Sequence, residues 1–147
     1  MELNRNLAIA HATIGLGKIQ LGRAEETEAH VKEALRLSPR DVAAYLFFLY
    51  AGLAKLWLGA NEEAVGWLRR SIEANRNNPM SHFLLASALA LLGRLSEARS
   101  EVSTGLSINP TFTVARIRAA PSMDNPALNG GRERLIDGLR KAGLPEE

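Results

Sequence analysis

Residues 85–110 read LASALALLGRLSEARSEVSTGLSINP, and this stretch decides the fold. Its marked positions are Leu85-Ala86, Leu89, Gly93, Ala98, Val102, Gly105 and Pro110. The same offsets recur 34 residues earlier, as Ala51-Gly52, Lys55, Gly59, Ala64, Leu68 and Ser71. A further 37 residues back they give Ile14-Gly15, Lys18, Gly22, Thr27, Val31, Ala34 and Pro39. Three copies in one register predict a repeat protein.

Each copy has the pattern of two helices joined by a turn. A small residue lies midway along the first helix, where it lets a neighbouring helix approach closely. Seven residues later stands Gly22, Gly59 or Gly93, and glycine best supplies the left-handed residue that ends a helix. The second helix carries small and large residues at spacings of four and three, which share one face. We therefore predict an all-α protein with helices near 6–21, 25–37, 41–58, 61–75, 79–92 and 95–107.

The copies differ at two places. Three extra residues separate the first copy from the second, so we expect the first helix of the second copy to begin a turn early, at 41. Beyond Pro110 the pattern stops. We expect a short helix in 111–120, a loop at 121–126 and, after a flexible turn at Gly130-Gly131, a terminal helix at 132–142. Such a helix would close the open apolar end of a repeat array.

These offsets resemble the tetratricopeptide repeat family, whose units are 34-residue helix pairs with this glycine, alanine and proline pattern. The resemblance covers residues 6–110. It implies three helix-turn-helix repeats in a right-handed superhelix, at about 6–39, 41–78 and 79–110, with 111–147 as a C-terminal capping segment. The family's first-helix tryptophan is replaced here by His11, Phe48 and His82, and its tyrosine by Lys18, Lys55 and Leu89. The family binds other polypeptides, so the resemblance implies a protein-interaction module that is not an enzyme.

A narrower resemblance rests on three segments: GRAEE at 22–26, LRLSPRD at 35–41 and LRKAGLPE at 139–146. They are similar to the C-terminal repeat region of bacterial class III adenylate/guanylate cyclase-like proteins. That implies a regulatory or assembly region of a larger cytoplasmic signalling protein. The metal-binding aspartates and glycine-rich signature of the cyclase domain have no counterpart in this chain. Because the sequence begins close to the first repeat, we also expect a fragment with Met1 as an added start.

Composition excludes several classes of protein. The net charge is +2, from 18 basic and 16 acidic residues without a basic stripe, so nucleic-acid binding is not expected. There are no cysteines, which excludes disulfides and thiolate metal sites. Residues 42–60 carry Lys55 as their only charge and nearly reach the length of a membrane span. Gly52, Gly59 and the repeat register instead favour a central helix covered by its neighbours.

No catalytic, cofactor-binding or metal-binding residue is predicted. None of the three histidines lies three or four residues from another, the spacing of metal ligands on a helix. His11 and His82 occupy a packing position of the repeat, and His30 is expected to be solvated.

Two other features invite a catalytic interpretation. The acidic pairs Glu25-Glu26 and Glu62-Glu63 stand at helix N-termini, where the helix dipole explains them. Gly130-Gly131 lacks the lysine and serine of a phosphate-binding loop.

The candidate binding surface is the groove that the first helices line in this family. Translated by offset, it consists of Ile9, Leu16, Leu46, Leu49, Leu53, Trp57, Met80 and Phe83. Some family members hold a C-terminal carboxylate in the groove with lysine, asparagine and arginine. The equivalent positions here read Ala12, Leu16, Tyr50, Met80 and Leu84. We therefore predict a protein or peptide partner, most simply an amphipathic helix.

Four of these side chains, Leu46, Leu49, Leu53 and Trp57, are expected to face the groove and not the core. A large exposed groove of this kind favours association. It could be filled by a partner helix, by residues 132–142 folding back, or by a second copy of the chain. Two other functions stay open: a structural homo-oligomerisation domain and a small-ligand-sensing domain.

Overall fold

A computed structural model describes residues 2–120 and 129–147, and these ranges are helical and contain no strand, as predicted. Their helices are α1 Glu2–Gln20, α2 Thr27–Leu37, α3 Ala44–Trp57, α4 Asn61–Ala74, α5 Pro79–Leu91, α6 Leu95–Ile108, α7 Val114–Ala119 and α8 Asn129–Lys141. A short 3-10 turn, Ala24–Glu26, precedes α2.

The first six helices form three hairpins stacked in sequence. Within a hairpin α1 packs on α2, α3 on α4 and α5 on α6, and successive hairpins meet where α2 contacts α3 and α4 contacts α5. The first helices α1, α3 and α5 also lie side by side and form one wall. This is the predicted array of three helix-turn-helix repeats. Among the described helices, none has both the length and the apolar character needed to cross a bilayer.

The three glycines of the repeat register end the first helices, as predicted. Gly22, Gly59 and Gly93 have φ angles of 77°, 76° and 83°. These angles lie in the left-handed region, which glycine adopts without steric cost. The amide of Gly22 donates to the carbonyl oxygen of Ile19 at 3.0 Å, and that of Arg23 donates to Lys18 at 2.7 Å. These bonds satisfy carbonyl groups that the helix end leaves free.

Small residues set how closely the two helices of a repeat approach. A Cβ atom added to Gly52 would lie 2.6 Å from Cγ of Leu68, and one added to Gly105 would lie 2.7 Å from the ring of Phe83. The second-helix alanines Ala64 and Ala98 are fully buried where the two helices of a repeat meet. The hairpins are therefore packed tightly enough for one added methyl group to require a shift.

Three predicted helix starts are wrong by three residues or more. The helix α1 begins at Glu2, not at 6. The helix α3 begins at Ala44, not at 41, because the extra residues form a turn in which Oδ1 of Asp41 accepts the amide of Ala43 at 2.8 Å. The helix α8 begins at Asn129, so Gly130-Gly131 lies inside its first turn and not before it. The loop predicted at 121–126 lies outside the described residues.

Candidate functional site

The groove formed by the first helices already holds a helix. The C-terminal helix α8 packs along α5 and also contacts α3. Its stripe Leu135, Ile136 and Leu139 is at most 3% exposed and belongs to the same core as α5. Of the three occupants considered for the groove, the chain's own C-terminal helix thus fills the part along α5.

Two glycines let α8 approach the groove wall. A Cβ atom on Gly138 would lie 2.6 Å from the carbonyl oxygen of Ser87, and the hydroxyl of Ser87 donates to the carbonyl of Leu135 at 3.0 Å. A Cβ atom on Gly131 would lie 2.6 Å from Cδ1 of Trp57. The guanidinium of Arg134 donates to the backbone carbonyl of Trp57. A side chain at either glycine would hold the helix away from the wall.

The residues after α8 close the end of the array. The amides of Val114 and Ala115, at the start of α7, donate to the carbonyls of Pro145 and Glu146 at 3.0 and 2.9 Å. Arg118 of α7 pairs with Glu133 of α8 at 2.7 Å. The chain therefore uses α7, α8 and the tail together as its C-terminal cap.

The structure does not place the eight predicted groove residues in one exposed surface. Leu46, Leu53, Trp57 and Met80 are partly buried against the core that includes α8. Leu49 is only 7% exposed. The two α1 residues are partly buried against other clusters, Ile9 against the core of the first repeat and Leu16 against Ile19 and Ala54.

Two placements differ from the prediction. Phe83 is 1% exposed and fills the space over Gly105, where its ring stacks on Phe112 with centroids 4.2 Å apart. It is a core residue and cannot meet a partner. Leu53 was expected to lie outside the core, but it packs against both the central core and the cluster of Ile19, Ala24 and Ala54. Position on a helix face does not distinguish a groove wall from a core when another helix lies in the groove.

The histidines form contacts that their spacing in the sequence does not indicate. The Nδ1 atoms of His11 and His30 are 3.4 Å apart, so His30 is half-buried against a neighbour and not solvated as expected. His82 is buried, with Nδ1 2.7 Å from Glu101 and Nε2 2.9 Å from the carbonyl of Arg76. Nowhere in 2–120 and 129–147 do three potential metal ligands come together. Both histidines of the packing position therefore join the helices of one repeat.

A second concavity lies between α2, α3 and α4. It is a cleft of about 400 Å³ lined by Glu28, Lys55, Glu63, Gly66, Trp67 and Arg70. The ammonium of Lys55 contacts Glu63 at 2.7 Å and Glu28 at 3.7 Å. The hydrogen bond to Glu63 is the main cause of a raised pKa for Lys55. A lysine held in this way stays protonated and is unsuited to act as a nucleophile.

Comparison with protein families and with curated proteins gives one partial match. No protein-family model matches the chain. The human protein O-mannosyl-transferase TMTC2 is 28% identical over 106 residues, and the match spans 71% of this chain but only 13% of that protein. This chain therefore spans only a small part of the length of that relative.

Several solved structures have the same architecture. The TPR domain of Arabidopsis OM64 superposes with a TM-score of 0.67 at 15% identity, over 91% of this chain and 98% of that one. MamA gives 0.65 at 20% identity, over 92% and 75%. The first TPR of Spaghetti (RPAP3), described as bound to the HSP90 peptide SRMEEVD, gives 0.67 at 14% identity, over 92% and 95%. The chain has the tetratricopeptide repeat fold.

Proposed function

We propose that the chain is a protein-interaction module whose groove binds an amphipathic helix of a partner protein along α1 and α3. The observation that carries this proposal is that the groove already contains a helix. It holds α8, whose buried residues Leu135, Ile136 and Leu139 follow one helical stripe. A wall that accommodates one amphipathic helix has the shape and apolar character that a second one requires.

The segment of groove proposed for the partner is lined by Ile9, Leu16 and Leu53. All three are large, apolar and only partly buried. Ile9 and Leu16 are seven residues apart and therefore lie two turns apart on the same face of α1. Each apolar side chain that becomes fully covered contributes about 1.5–3 kcal/mol. A partner helix with apolar residues at i, i+3 or i+4, and i+7 would match this spacing.

The chemistry of the groove distinguishes this partner from an acidic peptide. The structure of Spaghetti is described as bound to the peptide SRMEEVD, which carries two glutamates and an aspartate. The groove residues proposed here carry no positive charge. The partner of this chain is accordingly an apolar helix and not an acidic tail.

Selection of helical peptides tests the proposal. A displayed library of helical sequences is selected on the immobilised full chain, and the affinities of enriched peptides are measured by fluorescence anisotropy. We expect apolar residues at helical spacing, and at least a tenfold loss of affinity for Leu16→Asp, because a carboxylate then faces an apolar surface. Leu58→Asp is the matched control, since Leu58 is 46% exposed and lies at the end of α3.

Three results would contradict the proposal. These are enriched peptides without a helical period, peptides that bind Leu16→Asp as tightly as the native chain, and peptides that displace α8 instead of binding beside it. Amide exchange of residues 129–141 reports displacement directly, because a released α8 loses its protection. Circular dichroism shows in parallel whether each variant is still folded.

We also propose that the chain serves as a regulatory or assembly region of a larger bacterial signalling protein such as a cyclase, in the cytoplasm. Support comes from the segments 22–26, 35–41 and 139–146, which resemble the repeat region of that class. Sequencing the neighbouring coding region tests this. A cyclase domain with paired metal-binding aspartates in the same reading frame supports the proposal, and its absence rejects it.

A further inference from the structure

The outer face of α1 carries a stripe of exposed apolar residues. Four large members, Leu3, Leu7 and Ile14 of α1 and Leu21 directly after its end, are 68%, 46%, 46% and 66% exposed. Ala10 and Gly17 occupy the positions between them, and these six residues are called the outer stripe. Successive members are four and three residues apart in alternation, which is the spacing of a seam between paired helices. The inward face of α1 is buried separately through Ala8, Ala12, Gly15 and Ile19.

Repeat symmetry identifies the outer stripe as a packing surface. The 37-residue offset takes Leu7, Ala10 and Ile14 to Ala44, Phe47 and Ala51 of α3. Those three residues are 7%, 2% and 0% exposed and share a core with Val31 and Ala34 of α2. In the third repeat, Ser81 and Leu85 of α5 correspond to Ala10 and Ile14 and are buried as well. At α3 and α5 the preceding helix covers this face, and at α1 no described helix does so.

Stacking of the C-terminal end of a second copy on the outer stripe is the alternative arrangement. At that end Val114 and Ile117 of α7 are buried in the same cluster as Val102 of α6. The amides of Val114 and Ala115 also donate to the carbonyls of Pro145 and Glu146. Pairing through α1 leaves this C-terminal cap unchanged.

We propose that the outer stripe is the interface of a symmetric dimer, in which α1 pairs antiparallel with α1 of a second copy. The six stripe positions coincide with themselves when the helix is reversed. In that register Leu7 meets Gly17 of the second copy, and Ile14 meets Ala10. Leu3 meets Leu21 at both ends. Each large side chain in the middle of the seam therefore faces a small one. These layers of the seam are then packed without a clash between two large side chains or a void between two small ones.

A parallel pair does not have this complementarity. There Leu7 and Ile14 would each face the same residue in the second copy, and Ala10 and Gly17 would also face themselves. The small layers would leave voids, which cost packing energy. The edges of the antiparallel seam are also compatible, because Lys18 comes opposite Asn4 and not opposite another lysine.

The dimer explains a glycine that the single chain does not. Gly17 lies inside α1, its φ angle is not positive, and a Cβ atom added there would meet nothing within 4 Å. Glycine within a helix is less stable than alanine. No contact among residues 2–120 and 129–147 requires this cost at position 17. In the antiparallel pair the missing side chain is the space into which Leu7 of the second copy packs.

Sedimentation velocity over a concentration series tests the proposal with the full chain. We expect the mass to rise from 16.0 kDa to twice that value. Ile14→Glu should raise the dissociation constant by about 100-fold or more, because it places a carboxylate in an apolar seam. Gly17→Leu should raise it by about 10-fold, because it fills the space that Leu7 occupies. Gly66→Leu is the matched control, since Gly66 is exposed, helical and equally free of neighbours.

Engineered cysteines test the direction of pairing, because the chain has none of its own. The double variant Leu7→Cys/Gly17→Cys should form disulfide-linked dimers under mild oxidation. Leu7→Cys alone should not, since in the antiparallel pair the two copies of residue 7 are about 15 Å apart along the helix. Efficient linking of Leu7→Cys alone would indicate parallel pairing and overturn the proposal.

Two further outcomes also overturn it. A mass of one chain at every concentration would mean that the outer stripe is covered by something other than a second copy. A dimer that persists in Ile14→Glu would place the interface elsewhere. Both are separable from the groove proposal, because Ile14 and Leu16 lie on different faces of α1 and peptide binding is measured independently.

Discussion

Gly131 of α8 lies directly against the indole ring of Trp57, so that a Cβ atom at residue 131 would be only 2.6 Å from both Cδ1 and Nε1 of the ring. The contact joins the first turn of the C-terminal helix to the last turn of α3. It is possible only because residue 131 has no side chain. A glycine that resembles part of a loop in the sequence therefore sets the position of the helix that fills the groove.

Replacing Gly131 by alanine is expected to destabilise the fold. The added methyl group overlaps the ring of Trp57, and overpacking of this kind costs about 1–3 kcal/mol. Gly130→Ala is the matched control, because a Cβ atom there meets nothing within 4 Å. It should instead stabilise α8 by about 0.5–1 kcal/mol through helix propensity. Urea unfolding measures both, and equal effects of the two substitutions would show that the ring contact is absent.

The bond between Ser87 and the carbonyl of Leu135 is expected to hold α8 in the groove. Ser87→Ala removes a buried hydrogen bond, which costs about 0.5–1.5 kcal/mol. Hydrogen exchange should become faster in α8 more than in α1, since the loss is confined to the helix that the bond anchors. Ser103→Ala, on the exposed side of α6, serves as the control. Uniform acceleration over all helices would contradict a local anchoring role.

Ala98 is expected to tolerate no larger side chain. It is fully buried between the helices of the third repeat. Ala98→Leu should lower stability by about 1–3 kcal/mol through overpacking. Ser100→Leu, two residues away and exposed, should change it little. An unchanged melting temperature for Ala98→Leu would show that the repeat register is misassigned.

The turn before α3 is expected to make stability depend on pH. Burial opposes ionisation of Asp41, but hydrogen bonds from the Ala43 amide and the Ser38 hydroxyl, with the nearby Arg5, outweigh it and lower the pKa of Asp41. A carboxyl group whose pKa is lower in the folded state than in the unfolded chain, where it is about 3.9, stabilises the fold above that value. The contribution is lost as the pH falls through the folded-state pKa.

Asp41→Ala should therefore lower the urea midpoint at pH 7, and the gap from the native chain should narrow as the pH falls below about 4. Asp41→Asn separates the two causes, since it keeps an acceptor for the Ala43 amide and removes the charge. A gap that stays constant between pH 7 and pH 2.5 would exclude a contribution from the ionised carboxylate.

Local signals in the sequence predicted the repeats correctly. A left-handed backbone at Gly22, Gly59 or Gly93 is a property of one residue, and the recurrence of that residue locates every first helix. The small residues at Ala64 and Ala98 are likewise explained by their own repeat. The predicted helix start at Asp41 was wrong, because an inserted segment can either extend a helix or lengthen a turn. The choice depends on the hydrogen bond between Asp41 and the Ala43 amide, which the spacing of residues does not specify.

The groove shows the limit of the same reasoning. Offsets place Leu46, Leu53, Trp57 and Phe83 on first helices, but they do not indicate what lies opposite. Phe83 became core because Gly105 and Phe112 provide a slot on its other side. The contact of His11 with His30 was missed because the two residues are 19 positions apart on different helices.

The sequence by itself determined the three repeats, the ends of the first helices at Gly22, Gly59 and Gly93, and the order of stacking, because each depends on a single residue or on contacts within one repeat. Only the tertiary structure decided which apolar faces remain uncovered. The return of α8 onto α5 depends on contacts such as Ser87 with Leu135, whose partners are 48 positions apart. No periodic pattern encodes such a pairing, because the apolar stripe of α8 would suit any apolar surface within reach. The close contacts of Gly131 with Trp57 and of Gly138 with Ser87 select the surface formed by α3 and α5.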